Sequence, residues 1–383
     1  MSDQPFDYLV PRIHGALTQV IDPELRRPIT ELGMVAGIEI DDEALATVHI
    51  RLTIATCPHS SQISADVERA TRAVRGVRGA AVRVEAMSAG ERKALIERVR
   101  GDAATRGIPF GPDSGTHVIA VTSGKGGVGK SSVTANLAVT LAQRGLAVGL
   151  IDADVFGFSI PGLLGLVSED PAGTRTAVGP TRIDGMILPP VAHGVQTISI
   201  GMFLENMSAA VAWRGPMLHR TVKQFLTDVH FGELDVLLLD LPPGTGDVAI
   251  SVAQLLPAAE ILVVTTPQPA AADIAERSGT LARQTGHRIV GVVENMAGWA
   301  QPDGSVVELF GAGGGAELAH RLSAGQDAPV PLLASVPLSL ALREGGDAGL
   351  PVVLSNPADP AAVAIETLGD ALARQFMTGS NAG

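Results

Sequence analysis

The run SGKGGVGKSS, Ser123 to Ser132, decides the fold of this 383-residue chain. It closes the apolar stretch VIAVTS (118–123) and opens the helical stretch VTANLAVTLAQRG (133–145). Gly124, Gly129, Lys130 and Ser131 fit G-x-x-x-x-G-K-[ST], and strand before, helix after is the context in which that spacing cradles phosphate. Glycines let backbone amides turn inward around a β-phosphate, and the helix N-terminus adds partial positive charge. The loop from Gly124 through Lys125, Gly126, Gly127, Val128, Gly129, Lys130, Ser131 and Ser132 is the expected nucleotide cradle. Lys130 is placed to bridge the β- and γ-phosphates, and the Ser131 hydroxyl to ligate Mg²⁺. Lys125 has no task in that scheme. By composition alone it reads as a solvated lysine at the loop entrance.

Outward from the loop, the strands AVGLID (147–152), VLLLDL (236–241), EILVVTT (260–266) and IVGVVEN (289–295) are continuous apolar runs separated by helical segments. Strands buried on both faces and alternating with helices predict an α/β fold with a doubly wound, mainly parallel sheet over 117–378. In such sheets ligands bind at the carboxyl ends of the strands. Asp240 stands there in VLLLDLPPGTGD, suited to a Mg²⁺-bound water, and Gly244 follows with an amide able to sense the γ-phosphate. GLIDADVFG supplies Asp152 and Asp154 at another strand end. Either is a candidate to hold metal, orient the attacking water or cap a helix. Asp154, further into the loop, is the better water-positioning candidate. Asn295 ends a later strand and can hydrogen-bond a purine. Gly298, three residues on, stands where guanine readout wants Asp, so ATP is the expected nucleotide.

The first part of the chain has a different period. In LATVHIRLTIA (45–55) Val48, Ile50, Leu52 and Ile54 alternate with polar residues, the mark of a strand with one wet face. A helix is predicted through SQISADVERATRAVR (61–75) and a strand at AAVRVEA (80–86). Residues 5–90 thus read as a small α+β domain, and 91–116, which includes GDAATRGIPFGPDSG, as a linker. The last helix falls in AAVAIETLGDALARQF, with Ile365, Leu368, Leu372 and Phe376 on one stripe, and 379–383 reads as a disordered tail.

Bulk properties exclude several classes. A net charge of −12 with no basic block argues against nucleic acid as a partner, and apolar runs this short do not span a bilayer. MSDQPFDYLV lacks the pattern of a signal peptide, so the expected compartment is the cytoplasm. Cys57 is the single cysteine. It reads either as a reactive thiol with His59 nearby or as a buried structural residue. Asp22 and Glu24 either share its surface or start a helix.

SGKGGVGKSS with its early lysine resembles the deviant phosphate loop of the MinD/ParA-like ATPases. DADVFGFSIPGLLG, WRGPMLHRTVKQFL, LDLPPGTGD and FGAGGG together resemble the Mrp/ApbC-type iron–sulfur cluster carriers, while VIDPEL, ITELGMV and LTIATCPHSSQI resemble the MIP18-type (DUF59) domain fused to many of them. The resemblance implies an ATP hydrolase that acts as a homodimer bridged by ATP, with Lys125 reaching the phosphates of the other subunit. It implies apo iron–sulfur proteins or cluster scaffold proteins as partners. The alternative is a positioning or partition ATPase. Such carriers follow E-N-M with C-P-x-C, whereas this chain reads ENMAGWAQPDG, with Gln301 and Gly304 where the cysteines would stand. Neither supplies a soft anionic ligand, so the usual bridging Fe–S cluster is not expected to form from this chain's own residues.

Overall fold

A computed structural model describes residues 6–54, 59–100, 108–204, 207, 215–301, 303–324, 326 and 328–379. The chain divides into two compact units, one of Met1–Gly107 with Thr181–Leu188, the other of Ile108–Pro180 with Pro189–Gly383.

The first unit runs α1 (Leu9–Leu17), β1 (Val35–Ile40), β2 (Leu45–Leu52), α2 (Ser60–Arg72), β3 (Gly79–Ala86) and α3 (Ala89–Arg100). Its sheet has the order β1-β2-β3, antiparallel then parallel. The alternation in LATVHIRL is realised: Ala46, Val48, Ile50 and Leu52 are buried while the residues between them are not. Ile13 and Leu17 of α1 and Ile63 and Val67 of α2 close over that face.

Two boundaries differ from the sequence reading. The segment 91–116 is not one linker, because α3 fills its start and buries Leu95 in the first unit's core, with Ile96 and Val99 against it. Ile108–Gly115 belongs to the second unit, where Phe110 meets Phe231 edge-on at 6.1 Å. Gly, Pro and Asp in 101–115 drew attention from a helix whose apolar spacing was present. The hairpin Thr181–Leu188, expected within 117–378, packs into the first unit's core through Ile183, Met186 and Leu188, all 1% exposed or less. Periodicity reports an apolar face and not its partner.

The second unit runs β4 (His117–Ser123), α4 (Lys130–Gln143), β5 (Val148–Asp152), α5 (Ile160–Leu163), β6 (Val167–Glu169), β7 (Arg175–Ala177), the two hairpin strands β8 (Thr181–Ile183) and β9 (Met186–Leu188) already assigned to the first unit, then β10 (Val191–Ala192), β11 (Val195–Ser199), α6 (Gly215–Thr227), β12 (Val236–Asp240), α7 (Asp247–Leu255), β13 (Glu260–Thr265), α8 (Pro269–Gln284), β14 (Ile289–Asn295), β15 (Trp299–Ala300), β16 (Val306–Val307), α9 (Gly314–Ser323), β17 (Leu332–Val336), α10 (Leu340–Ala348), α11 (Val352–Ser355) and α12 (Pro360–Gly379). Its sheet has the order β10-β11-β5-β12-β4-β13-β14-β17, parallel except for the β10–β11 pair. The five predicted strands are its centre, each residue of β5, β12 and β14 being buried. The stripe Ile365, Leu368, Leu372 and Phe376 of α12 is buried as its spacing predicts. Residues 380–383 of the expected tail lie outside the described residues.

Cys57, whose surface Asp22 and Glu24 were expected to share, lies outside the described residues, and the two carboxylates start no helix. They are 4% and 3% exposed, in a turn where Asp22 Oδ1 accepts from the amides of Glu24 (3.0 Å) and Leu25 (2.8 Å). Glu24 Oε1 accepts from the hairpin's Thr181 hydroxyl at 2.8 Å. Burial pushes the Glu24 carboxyl up to about 7, against the opposing hydrogen bond from Thr181. The folded state thus keeps a proton that the unfolded chain releases near the ordinary carboxylate range. Stability of the first unit is therefore expected to fall as pH rises from about 4.5 to about 7, by up to about 3 kcal/mol, and then level off. Hydrogen exchange of the β2 amides against pH checks this. Glu24→Gln should flatten the slope, and parallel curves for the two proteins would refute it.

Candidate nucleotide site

The register of the central sheet assembles the site. β12 lies between β4 and β5, with Asp240 directly beside Asp152 on one side and Val121 on the other. Two carboxylates thus end adjacent strands, both fully buried. Burial first, and the Asp240 carboxylate second, push the Asp152 carboxyl well above its ordinary range. The Ser199 hydroxyl, at the end of β11, donates to Asp152 Oδ2 at 3.0 Å and eases that burden.

Lys130, the first residue of α4, brings the opposite charge. Its side chain is 6% exposed, with Nζ 2.8 Å from Asp240 Oδ2 and 4.0 Å from Asp154 Oδ2. Ser131 Oγ donates to Asp240 Oδ2 at 2.6 Å and Thr134 Oγ1 to Asp240 Oδ1 at 2.9 Å. Asp154 stands in the loop after β5, its carboxyl raised by burial and lowered by Lys130. Gly157 N donates to its Oδ1 at 3.2 Å. With Asp152 holding its proton, the Asp240 and Asp154 carboxylates share one buried ammonium, an excess of negative charge that a divalent cation offsets. Mg²⁺ is held by one or two carboxylates together with substrate phosphates. Ser131 and Asp240 suit that arrangement, while Asp152, spent on Ser199 and on the Asp154 amide, sits behind them. Among the described residues no three His, Cys, Asp or Glu gather into a self-sufficient metal site.

A cleft of about 780 Å³ opens over this cluster. The phosphate loop from Lys125 to Ser132 forms its floor, and Asp154, Phe156, Gly157 and Ser159 line one side. Pro242, Pro243, Gly246 and Asp247 face them, with Gly215 and Leu218 of α6. A Cβ on Gly215 would stand 2.4 Å from Asp247 Oδ2, so a larger residue at 215 would push the Asp247 carboxylate aside where the GPM and GTGD segments meet. Trp213 and Arg214 lie outside the described residues.

Two of the expected contact residues have partners within the protein. Asn295 is 3% exposed and lies under the loop, its Nδ2 donating to the Val128 carbonyl at 2.9 Å. Gly129, at φ 77°, presses so closely on it that a Cβ there would stand 2.2 Å from Nδ2. Gly244 spends its amide on the Ser123 carbonyl at 2.8 Å, bracing the loop's start. Loop carbonyls need partners as much as phosphates do, and spacing in a sequence does not say which claim wins. Sequence reasoning also missed Thr134 and Ser199, which are common as helix and strand fillers, and Gln268, whose Oε1 accepts from Lys125 Nζ at 2.9 Å. Cys57 lies outside the described residues. Gln301 and Gly304 form the turn closing the β15–β16 hairpin, with Gln301 N on Ser305 O at 2.8 Å and Gly304 N on Gln301 O at 3.0 Å. Their neighbour Pro302 is outside the described residues.

A glycine-rich loop opening a buried helix, a lysine against a strand-end aspartate and a serine on that same aspartate define a P-loop nucleotide-binding protein. The family model described as ParA, NUBPL iron-transfer P-loop NTPase, matches residues 114–373, and the chain belongs to that family. A second, described as an iron–sulfur cluster assembly protein, matches residues 11–84. Among its relatives, the iron-sulfur cluster carrier protein of Mycobacterium bovis is 52% identical over 374 residues, covering 97% of this chain and 95% of the relative. The protein of the same name from Synechocystis sp. is 39% identical over 362 residues, covering 93% and 95%. Among solved structures, a nucleotide-binding protein from Archaeoglobus fulgidus in complex with ADP is 36% identical, with TM-score 0.49, over 61% of this chain and 86% of that one.

Lys130→Ala is expected to abolish nucleotide binding, since it removes the buried cation of the loop and leaves the Asp240 and Asp154 carboxylates without it. Titration with a fluorescent ATP analogue measures it, and unchanged affinity would remove Lys130 from the site. Asn295→Ala should weaken ATP and GTP alike, by about tenfold, because a buried loop carbonyl loses its donor. A change in the ATP-to-GTP ratio instead would restore Asn295 as the base-reading residue.

Proposed function

We propose that this chain is an iron–sulfur cluster carrier driven by binding and hydrolysis of ATP in a homodimer. The observation that carries the reading is the triangle of Lys130, Ser131 and Asp240 beneath an open cleft, with Asp154 at its side. Family membership and the carrier name borne by relatives that span nearly the whole chain support the cargo.

In this scheme the loop amides and Lys130 take up the phosphates, so binding is paid for by displacing Lys130 from its carboxylate partners. Ser131 and Asp240 would hold Mg²⁺, which when bound would offset charge on the phosphates. Asp154, reached from the cleft and already short of positive neighbours, orients the attacking water. Lys125 supplies a cation to the second subunit's phosphates, as an arginine finger does. The cluster itself is cargo. Gln301 and Gly304 offer no thiolate, so the ligands must come from a partner or a scaffold, with Cys57 the one thiol the chain can add.

The positioning-ATPase reading has little to rest on. Membrane riders present a basic amphipathic helix. Here the apolar stripe of α12 is buried, and its Asp370 is bonded to Arg144 of α4 at 2.6 Å. No helix among the described residues is long and apolar enough to cross a membrane.

Transfer of a reconstituted cluster to an apo iron–sulfur protein, assayed anaerobically with a scaffold, ATP and Mg²⁺, tests the cargo. Transfer should accelerate with ATP, and indifference to both chain and nucleotide would refute the reading. Mixed subunits test the dimer. Lys125→Ala and Lys130→Ala, each inactive alone, should together recover up to about a quarter of wild-type turnover on binomial pairing. Half of the pairs are mixed, and each of those holds one complete site. Mixed dimers that form without turnover would place Lys125 in its own subunit or nowhere.

A further inference from the structure

Gln268 stands between two prolines in VVTTPQP, at the N-cap of α8. Ser, Thr, Asp and Asn cap helices because their short side chains reach back to the first amides. Gln is longer, and here it makes no cap hydrogen bond. Its carboxamide oxygen instead accepts from Lys125 Nζ at 2.9 Å.

The position of that oxygen is held from several sides. Pro267 and Pro269 restrict the backbone, and Gln268 adopts the extended conformation (φ −63°, ψ 129°) that a residue before proline favours. Gly314, in the FGAGGG segment, abuts Pro267 so closely that a Cβ would stand 2.4 Å from its carbonyl oxygen. Gly124 meets the backbone of α8 in the same way, with a Cβ 2.3 Å from Ala275 N. These contacts bring the entrance of the phosphate loop against α8 and set Lys125 beside Gln268. The lysine's own carbonyl is fixed by the Ser123 hydroxyl at 3.0 Å.

We propose that Gln268 is a positioning residue for Lys125: it holds the ammonium within its own subunit and releases it when the lysine engages phosphates across the dimer. The proposal rests on the reading of Lys125 as a cation supplied in trans. A neutral amide suits the task. It orders a half-buried lysine through one hydrogen bond, weak enough to exchange for phosphate, whereas a carboxylate there would keep the lysine at home.

The test is sedimentation velocity of the full chain with Mg²⁺ and a non-hydrolysable ATP analogue, comparing wild type, Gln268→Ala, Gln268→Glu and Lys125→Ala. Gln268→Ala should tighten the dimer by roughly tenfold, about threefold for each of two freed lysines. Gln268→Glu should loosen it, with the effect fading at high salt. Analogue affinity below the dimerisation range should stay the same in both, which a merely structural role for Gln268 would not predict. If Gln268→Ala leaves the dimer unchanged or weaker, or if both variants shift it the same way, the positioning role is overturned while the trans lysine stands. If wild type fails to dimerise, or Lys125→Ala dimerises as well as wild type, the parent reading falls and takes this one with it.

Discussion

The ammonium of Lys130 against the Asp240 carboxylate, 2.8 Å apart and out of water, is the interaction around which the second unit is arranged. A buried carboxylate at the tip of a hydrophobic strand is tolerable only when paired and hydrogen-bonded. Asp240 has a lysine and two hydroxyls, all from α4, so the first turns of that helix are locked to the end of β12. Asp152 is less fortunate. It lies in register beside Asp240 and has only Ser199 and a backbone amide to lean on, which is why its proton is held so firmly. Asp240 and Asp154, with one lysine between them, make a site that gains from binding a metal–nucleotide pair. The sheet's stability and its function are set against each other at one edge.

That edge also explains why so many glycines surround the loop. Several are there because a neighbouring group occupies the place of a Cβ: the Asn295 amide at Gly129, the α8 backbone at Gly124, the Asp247 carboxylate at Gly215. The first two approaches bring β14 and α8 to the phosphate loop, and the third brings α6 against the start of α7. The loop is thus shaped by contacts from outside as much as by its own flexibility.

The buried strands, the α4 helix and the placing of Lys130, Ser131 and Asp240 at the phosphate loop and a strand end were legible because their causes are local: continuous apolar runs, a fixed glycine spacing, and charges at strand ends. The direct contacts among those three side chains were not legible. Asn295 and Gly244 have protein partners that the sequence does not name. Their hydrogen bonds go to Val128 and Ser123, carbonyls of the loop whose need is invisible until the chain is folded. The helix Ala89–Arg100 and the hairpin Thr181–Leu188 were missed for complementary reasons. The first was hidden by turn-forming residues just after it. The second is a pair of three-residue strands, too short for any period to register, whose apolar residues complete a core begun more than a hundred positions earlier.

Gln301 and Gly304, which the family resemblance sets where cysteines are expected, bear on how nucleotide and cargo are related. In this chain those positions form a closed turn, their amides bonded within the β15–β16 hairpin and Gly304 at φ 84°, a conformation that suits glycine. Placing a cysteine at 304 would therefore strain the turn as well as add a thiol. The hairpin nonetheless leads into FGAGGG, and Gly314 and Gly315 there still press on Pro267 and Glu294. The residues that fix the nucleotide side of the molecule are thus kept immediately beside residues that cannot ligate iron. On the proposed reading, a nucleotide cycle built on Lys130, Asp154 and Lys125 does not depend on thiolates in its own chain, and its cargo chemistry is completed by the protein it meets.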